Sequence, residues 1–186
     1  MRYLAIMRIW RCVMFPQLFI CPMQKSLMAT AKPICAKPKK NNLTVRQSDD
    51  FNVFMQIEEE VLLERHGVKP VHSAEEIKLL AKRFPDNIKL FASFKEDVML
   101  AGVIMYESQN VAHVQYVANS KAGRNLGAQD IIENYLIKEH YRSDKRYFDF
   151  GISTEKQGTQ LNVGLIQRKE NFGANAIVYD TYKITL

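Results

Sequence analysis

Three apolar runs follow one another almost without interruption: IKLFASF (88–94), VMLAGVIMY (98–106) and VAHVQYVAN (111–119). Only Lys95–Asp97 and Glu107–Asn110 separate them. β-Branched and aromatic residues dominate each run, and polar linkers this short cannot carry a crossover. The spacing therefore predicts an antiparallel meander at the centre of the fold. A meander of this kind must bury a face against helices or a second sheet, which narrows the architectures open to the rest of the chain.

Helices are legible on both sides of it. NNLTVRQ (41–47) alternates Leu43 and Val45 with polar residues and predicts a short strand. Ser48 or Asp49 then offers an N-cap for a helix whose apolar face is Phe51, Phe54, Ile57, Val61 and Leu62, ending before Gly67. Ser73 followed three residues later by Glu76 is a capping box. Ile77, Leu80 and Phe84 give that second helix its apolar face, and Pro85 stops it. After the meander, SKAGRNLG reads as a glycine-containing loop into the helical segment AQDIIENYLIKEHY. RYFDFGIS reads as a strand, LNVGLIQRKENF as a helix closed by Gly173, and AIVYDTYKITL as a last strand or strand pair. The expected fold class is α/β (α+β), a mixed and mostly antiparallel central sheet flanked by helices.

Charge divides the chain. Of its 186 residues, the first 48 hold nine Lys and Arg and no acid; the remainder hold the other 17 bases and all 20 acids. The net charge of +6 is thus +9 at the N-terminus and −3 in the body, so the body is not a basic nucleic-acid binder. Cys12, Cys21, Cys35 and Trp10 all lie in that first part, and the body is cysteine-free. The body is therefore no disulfide scaffold, thiol enzyme or Cys-ligated zinc domain, and a cytoplasmic location is expected. Residues 1–40 read as a basic, acid-free segment, unstructured or a remnant, and residues 41–186 as the folded domain. Arg8, Arg11 and Pro16 interrupt the apolar stretch near the start, so no run reaches the ~18–20 residues of a membrane span.

The junction at 111–140, strand then RNLGA then helix, is where chemistry can sit. A helix start directs backbone N–H groups and the positive end of its dipole at one spot, which suits a phosphate. Gly127 permits close backbone approach and Arg124 adds charge. A single glycine at a helix start is more often a packing or capping solution.

The order of elements together with Arg124-Asn125-Leu126-Gly127-Ala128-Gln129 resembles the GNAT acyltransferases, whose Q/R-x-x-G-x-G/A motif holds the pyrophosphate of acetyl-CoA. The first and fourth positions match; the sixth, small in the family, is Gln129. The resemblance implies acetyl-CoA as co-substrate, bound by Arg124, Asn125, Leu126, Gly127 and Ala128, by the strand backbone at Val117, Ala118 and Asn119, and at Asn162. Asn162 opens the later helix, and the position of the family's general-acid Tyr is Lys169. DFGIS followed by LNVGLIQRKENFGA, with Lys169, Phe172 and Gly173 as K-x-x-F-G, is similar to the C-terminal part of CelD-like and Fem-type (FemAB-like) acyltransferases. Those proteins usually carry two tandem GNAT-like domains, so a missing partner domain is implied.

The resemblance also implies roles for single residues. Asp149, in FDFGIS, and Lys169 are the catalytic candidates; an Asp in the place of Asp149 is more often a strand-end residue satisfied by backbone N–H. His66, Lys69 and His72 lie in the loop that borders the acceptor site in such folds. Two histidines six residues apart with no third ligand nearby do not predict a metal. His113 is a base by chemistry but reads first as a buried, hydrogen-bonded strand histidine. The implied reaction is transfer of an acyl group, acetyl first, from acyl-CoA to an amine, either a small molecule or a cell-envelope precursor. The alternatives are a Fem-type transferase using aminoacyl-tRNA, disfavoured by the body's net −3, and a non-catalytic half of a two-domain enzyme.

Overall fold

The computed structural model describes residues 12–22, 42–156 and 158–182. Its elements run β1 (Cys12–Pro22), β2 (Thr44–Ser48), α1 (Phe51–His66), α2 (Ala74–Arg83), β3 (Ile88–Lys95), β4 (Val98–Glu107), β5 (Val111–Asn119), α3 (Lys121–Leu126) and α4 (Ala128–Tyr135). A π-helical turn (Leu136–His140), β6 (Tyr147–Ile152), β7 (Thr154–Glu155), β8 (Gln160–Leu161), α5 (Val163–Asn171) and β9 (Asn175–Tyr182) follow. Seven strands form one sheet in the order β2-β3-β4-β5-β6-β1-β9, and β7 and β8 pair separately. Every pairing in the large sheet is antiparallel except β5 with β6. The mixed, mostly antiparallel architecture and the β3–β4–β5 meander are as the sequence predicts.

The sheet separates two cores. On one face α1 and α2 bury Phe54 and Ile77 against Leu90, Ala92, Ile104 and Ala118. On the other, Ile132 and Leu136 pack on Phe91, Val103, Ala112, Val114, Phe148 and Phe150. Removing a side chain such as Phe54 or Ile132 fully from water is worth roughly 1.5–3 kcal/mol, which is what holds each helix to its face.

Local signals explain most boundaries. The α1 N-cap is Asp50, whose carboxylate accepts from Val53 N at 3.1 Å, one residue beyond the expected Ser48 or Asp49. Gly67 ends that helix at φ +65°, a left-handed residue that costs glycine nothing. The capping box at Ser73 is present, with Glu76 N donating to Ser73 Oγ at 3.2 Å and Ser73 N to Glu76 Oε2 at 2.7 Å. Phe84 departs from its expected place on the apolar face: it is the C-cap of α2 and lies exposed. SKAGRNLG is not a loop. Ser120 Oγ accepts from Gly123 N at 3.0 Å and nucleates the short α3, which Gly127 closes at φ +71°.

Of the segment 1–40, expected to be unstructured or a remnant, the described residues are Cys12–Pro22. They form a strand between β6 and β9. The rest of that segment lies outside the described residues. Among the described residues, no helix is long and apolar enough to cross a membrane.

Candidate active site

The sheet opens between β5 and β6. The two strands pair in parallel only at Val111↔Tyr147, Ala112↔Phe148 and His113↔Asp149. Beyond that register β5 continues to Asn119 on its pairing with β4, and the two strands part. Each strand carries a local cause. Gln115 is the extra residue of a bulge in β5, since Ile104 pairs with Tyr116 but Met105 with Val114. In β6, Gly151 takes φ +72°. The gap holds a cavity of about 500 Å³, lined by His113, Val114, Gln115 and Val117 of β5, Phe150, Gly151 and Ile152 of β6, Gln129 and Glu133 of α4, and Leu165, Arg168 and Lys169 of α5.

Lys169 lies at the β6 wall. Its side chain is buried, and Nζ donates to Gly151 O at 3.0 Å and Ile152 O at 2.6 Å. Burial lowers the Lys169 pKa to about 8, against the pull of the Asp149 and Glu133 carboxylates, which favour the ammonium. An amine poised there can donate a proton near neutral pH, which an ordinary lysine does poorly.

A hydrogen-bonded chain forms the α4 side of the cleft. Asn119 Nδ2 donates to Gln129 Oε1 at 3.3 Å, and Gln129 Nε2 to Glu133 Oε1 at 2.9 Å. Arg168 donates to Glu133 Oε2 at 2.6 Å and to Asp130 Oδ1 at 2.8 Å. Burial raises the Glu133 pKa, with the Arg168 charge opposing. Gln129, the residue at the small position of the GNAT motif, is thus tied into this chain along the cavity wall.

His113 and Asp149 stand at the last paired register before the gap. His113 Nδ1 and Asp149 Oδ2 are 2.7 Å apart, and Asp149 Oδ1 accepts from Gly151 N at 2.8 Å. Asp149 is 5% exposed and does not line the cavity; the His113 side chain is 33% exposed and does.

A second cavity of about 510 Å³ lies beside the α1–α2 loop, lined among others by Asn52, Gln56, Glu59, Lys69, His72, Glu75 and Glu76. His72 Nδ1 hydrogen-bonds the Tyr116 hydroxyl, which ties this loop to β5. Lys69 pairs with Glu59 at 3.5 Å. Of the three expected acceptor residues, Lys69 and His72 line this cavity, while His66 closes α1 on the exposed surface.

The expected donor residues are dispersed. Val117 lines the first cavity, whereas the Ala118 side chain is buried in the α1–α2 core. Asn119 reaches Gln129, and Arg124 turns away from the cleft to Asn119 O at 2.9 Å and Glu64 Oε2 at 3.4 Å. Asn125 is exposed, Leu126 packs against the α4-side core, and Gly127 and Ala128 form the α3–α4 corner. Asn162 is a cap: its Oδ1 accepts from Leu165 N at 2.9 Å and its Nδ2 donates to Glu155 at 2.7 Å. Glu133 and Arg168 escaped the sequence reading. The signal for Glu133 was present, because it shares the helix face of Gln129 and Leu136, where an acid interrupts an apolar stripe. Among the described residues no group of three or more His, Cys, Asp or Glu is placed to hold a metal ion.

A family model described as "Acetyltransferase (GNAT) domain" matches residues 40–157, more than half of the chain. The chain belongs to the GNAT acetyltransferase-domain family. The fold of this GNAT domain is similar to that of FemX, with a TM-score of 0.69 at 13% identity over 90% of this chain and 62% of that one. It is also similar to the C-terminal (DUF2156) domain of a putative lysylphosphatidylglycerol synthetase from Agrobacterium fabrum, with a TM-score of 0.67 at 12% identity over 92% of this chain and 60% of that one. A third similar structure is an aminoglycoside acetyltransferase from an uncultured soil metagenomic sample, in complex with sisomicin, with a TM-score of 0.55 at 12% identity over 78% of this chain and 99% of that one. The chain therefore spans about three-fifths of the first two structures and nearly all of the third. Comparison with curated proteins finds no match.

Proposed function

We propose that this GNAT domain is an N-acyltransferase that moves an acyl group, acetyl in the first instance, from acyl-CoA to an amine in a reducing, cytoplasmic setting. The observation that carries the reading is the parting of β5 and β6 after His113↔Asp149, with Lys169 on one wall of the resulting cavity. An extended thioester donor laid along β5 at Val117–Asn119 would bring its acyl carbon towards His113 and its sulfur towards Lys169. The enzyme's contribution is then positioning of donor and amine, with the Lys169 ammonium stabilising or protonating the leaving thiolate. The acceptor enters from the second cavity, where Glu59, Glu75 and Glu76 favour a cationic amine, with Lys69 and His72 beside them. A small amine and an amine-bearing envelope precursor both fit that chemistry.

The test is calorimetric titration of acetyl-CoA into the full chain. Binding in the micromolar range, weakened by Lys169→Met, supports the reading. No binding by protein with an intact circular dichroism spectrum removes acyl-CoA as the donor.

One observation favours a second reading, an aminoacyl ester donor such as aminoacyl-tRNA. Both arginines nearest the α4 start are already paired, Arg124 with Glu64 and Arg168 with Asp130 and Glu133. A pyrophosphate there meets carboxylates as well as cations. Binding of charged tRNA that falls steeply between about 50 and 200 mM salt, with no acetyl-CoA binding, would select this reading.

A further inference from the structure

We propose that His113 is the general base of the acyl transfer and that Asp149 is its positioning residue; this rests on the N-acyltransferase reading above. Three features of the geometry converge on the pair. It lies at the vertex where β5 and β6 separate, so the imidazole borders the cavity while the carboxylate behind it does not. Both Asp149 oxygens are engaged, Oδ1 by Gly151 N and Oδ2 by His113 Nδ1, so the carboxylate is held in one orientation. Among the described residues no hydrogen bond engages His113 Nε2. With a carboxylate accepting at Nδ1–H, the ring is held in the tautomer that leaves the Nε2 lone pair bare, on a residue that lines the cleft.

The cavity takes lining from α4 and α5, on one face of the sheet, and from His113, which alternates with Ala112 and Val114 and so projects from the other. The opening thus runs between the faces, and His113 stands where an amine coming from the α1–α2 side meets a donor lying on the α4–α5 side. The step balances simply. The amine nitrogen attacks the acyl carbon, and the N–C bond forms as the C–S bond breaks. The proton displaced from nitrogen passes to Nε2. The sulfur leaves as thiolate and takes a proton from water or Lys169, and the imidazolium returns its own to solvent.

Several charged or titratable groups lie on the elements around His113. Asp149 is bonded to it from β6, and Tyr106 is its register partner on β4. Glu58 is buried on α1, the helix packed on β5, and Glu133, Arg168 and Lys169 share the cavity.

Two measurements test the proposal. The first reads tautomers by long-range ¹H–¹⁵N NMR on the wild-type protein, and so needs no variant to fold. Protonated Nδ1 with bare Nε2 is expected at pH 8; protonated Nε2 overturns the proposal. The second follows thiol release from acetyl-CoA with a panel of amines (glucosamine, sisomicin, spermidine, lysine) against pH. His113→Gln should lower kcat roughly 100-fold or more while the KM for acetyl-CoA stays within about twofold. Asp149→Asn should lower kcat at least tenfold in the same way. The amine's own ionisation is common to all the proteins, so the ratio of wild-type to His113→Gln profiles should fall on the acid side, as an imidazole base requires. An active wild type whose His113→Gln variant keeps its rate and acid limb overturns the base assignment alone. A wild type that neither binds nor turns over acetyl-CoA overturns the acyl-CoA reading and the base assignment together.

Discussion

Replacing Lys169 with Met should flatten the pH dependence of folding stability above neutrality. The argument is a linkage one. Burial holds the Lys169 pKa at about 8 in the folded protein, against about 10.5 in the unfolded chain. Between those values the unfolded state binds more protons than the folded state, so stability rises with pH across the window. From pH 7.5 to 9.5 this single group adds about 2 kcal/mol. At pH 7.5 the substitution itself has two opposed effects. It removes a buried charge, worth roughly the same few kcal/mol, but it also strips the donor from Gly151 O and Ile152 O, at roughly 1–3 kcal/mol for each acceptor left unmade. The net change at one pH is therefore small and uninformative, whereas the slope is clean. Urea denaturation of both proteins at pH 7.5 and 9.5 provides the comparison. The wild type should gain about 2 kcal/mol relative to the variant. Parallel changes in the two proteins would refute the claim that this ammonium is paying a burial cost.

Glu58 carries the mirror-image effect. Burial raises its pKa from 4.5 to about 7, so the folded state holds the extra proton and stability falls as pH rises through that window; Glu58→Gln should add roughly 2–3 kcal/mol at pH 8 and little at pH 4.5, read by the same urea titration. A Cβ at Gly123 would stand 2.5 Å from Leu100 O and 2.6 Å from Asn119 Oδ1. Gly123→Ala should therefore lower Tm by several degrees despite alanine's better helix propensity, because backbone cannot yield as a flexible side chain can; an unchanged or raised Tm in a thermal melt would contradict that packing.

The meander was legible because its signals are local. Apolar runs of strand length, broken by Lys95–Asp97 and Glu107–Asn110, leave little choice of pairing. The capping box at Ser73 and the stop at Gly67 were legible for the same reason. α3 was not, since KAGRNL shows no apolar stripe and rests on one Ser120 hydrogen bond and a left-handed glycine. The cleft was visible only through the GNAT resemblance. Its walls come from strands whose parallel register brings His113 to Asp149 across 36 residues, and no periodicity encodes that. Alternation could place His113 on a face of β5; it could not say that the neighbouring strand ends its pairing at that residue. Arg124 illustrates the converse. Its sequence position matches the phosphate motif, yet its guanidinium satisfies Asn119 O and Glu64 instead.

The π turn after α4 has an evolutionary consequence. Tyr141 N bonds to Leu136 O, five residues back, where an α-helix would use four. One residue is thus accommodated without unwinding the helix, and it sits downstream of Gln129 and Glu133, the two α4 residues on the cavity wall. A relative with one residue fewer between α4 and β6 could run straight α-helix through this stretch and keep the same cleft. Single-residue gaps in this lineage should therefore concentrate between positions 136 and 141, and be rare between 127 and 133, where the same change would rotate the cavity wall.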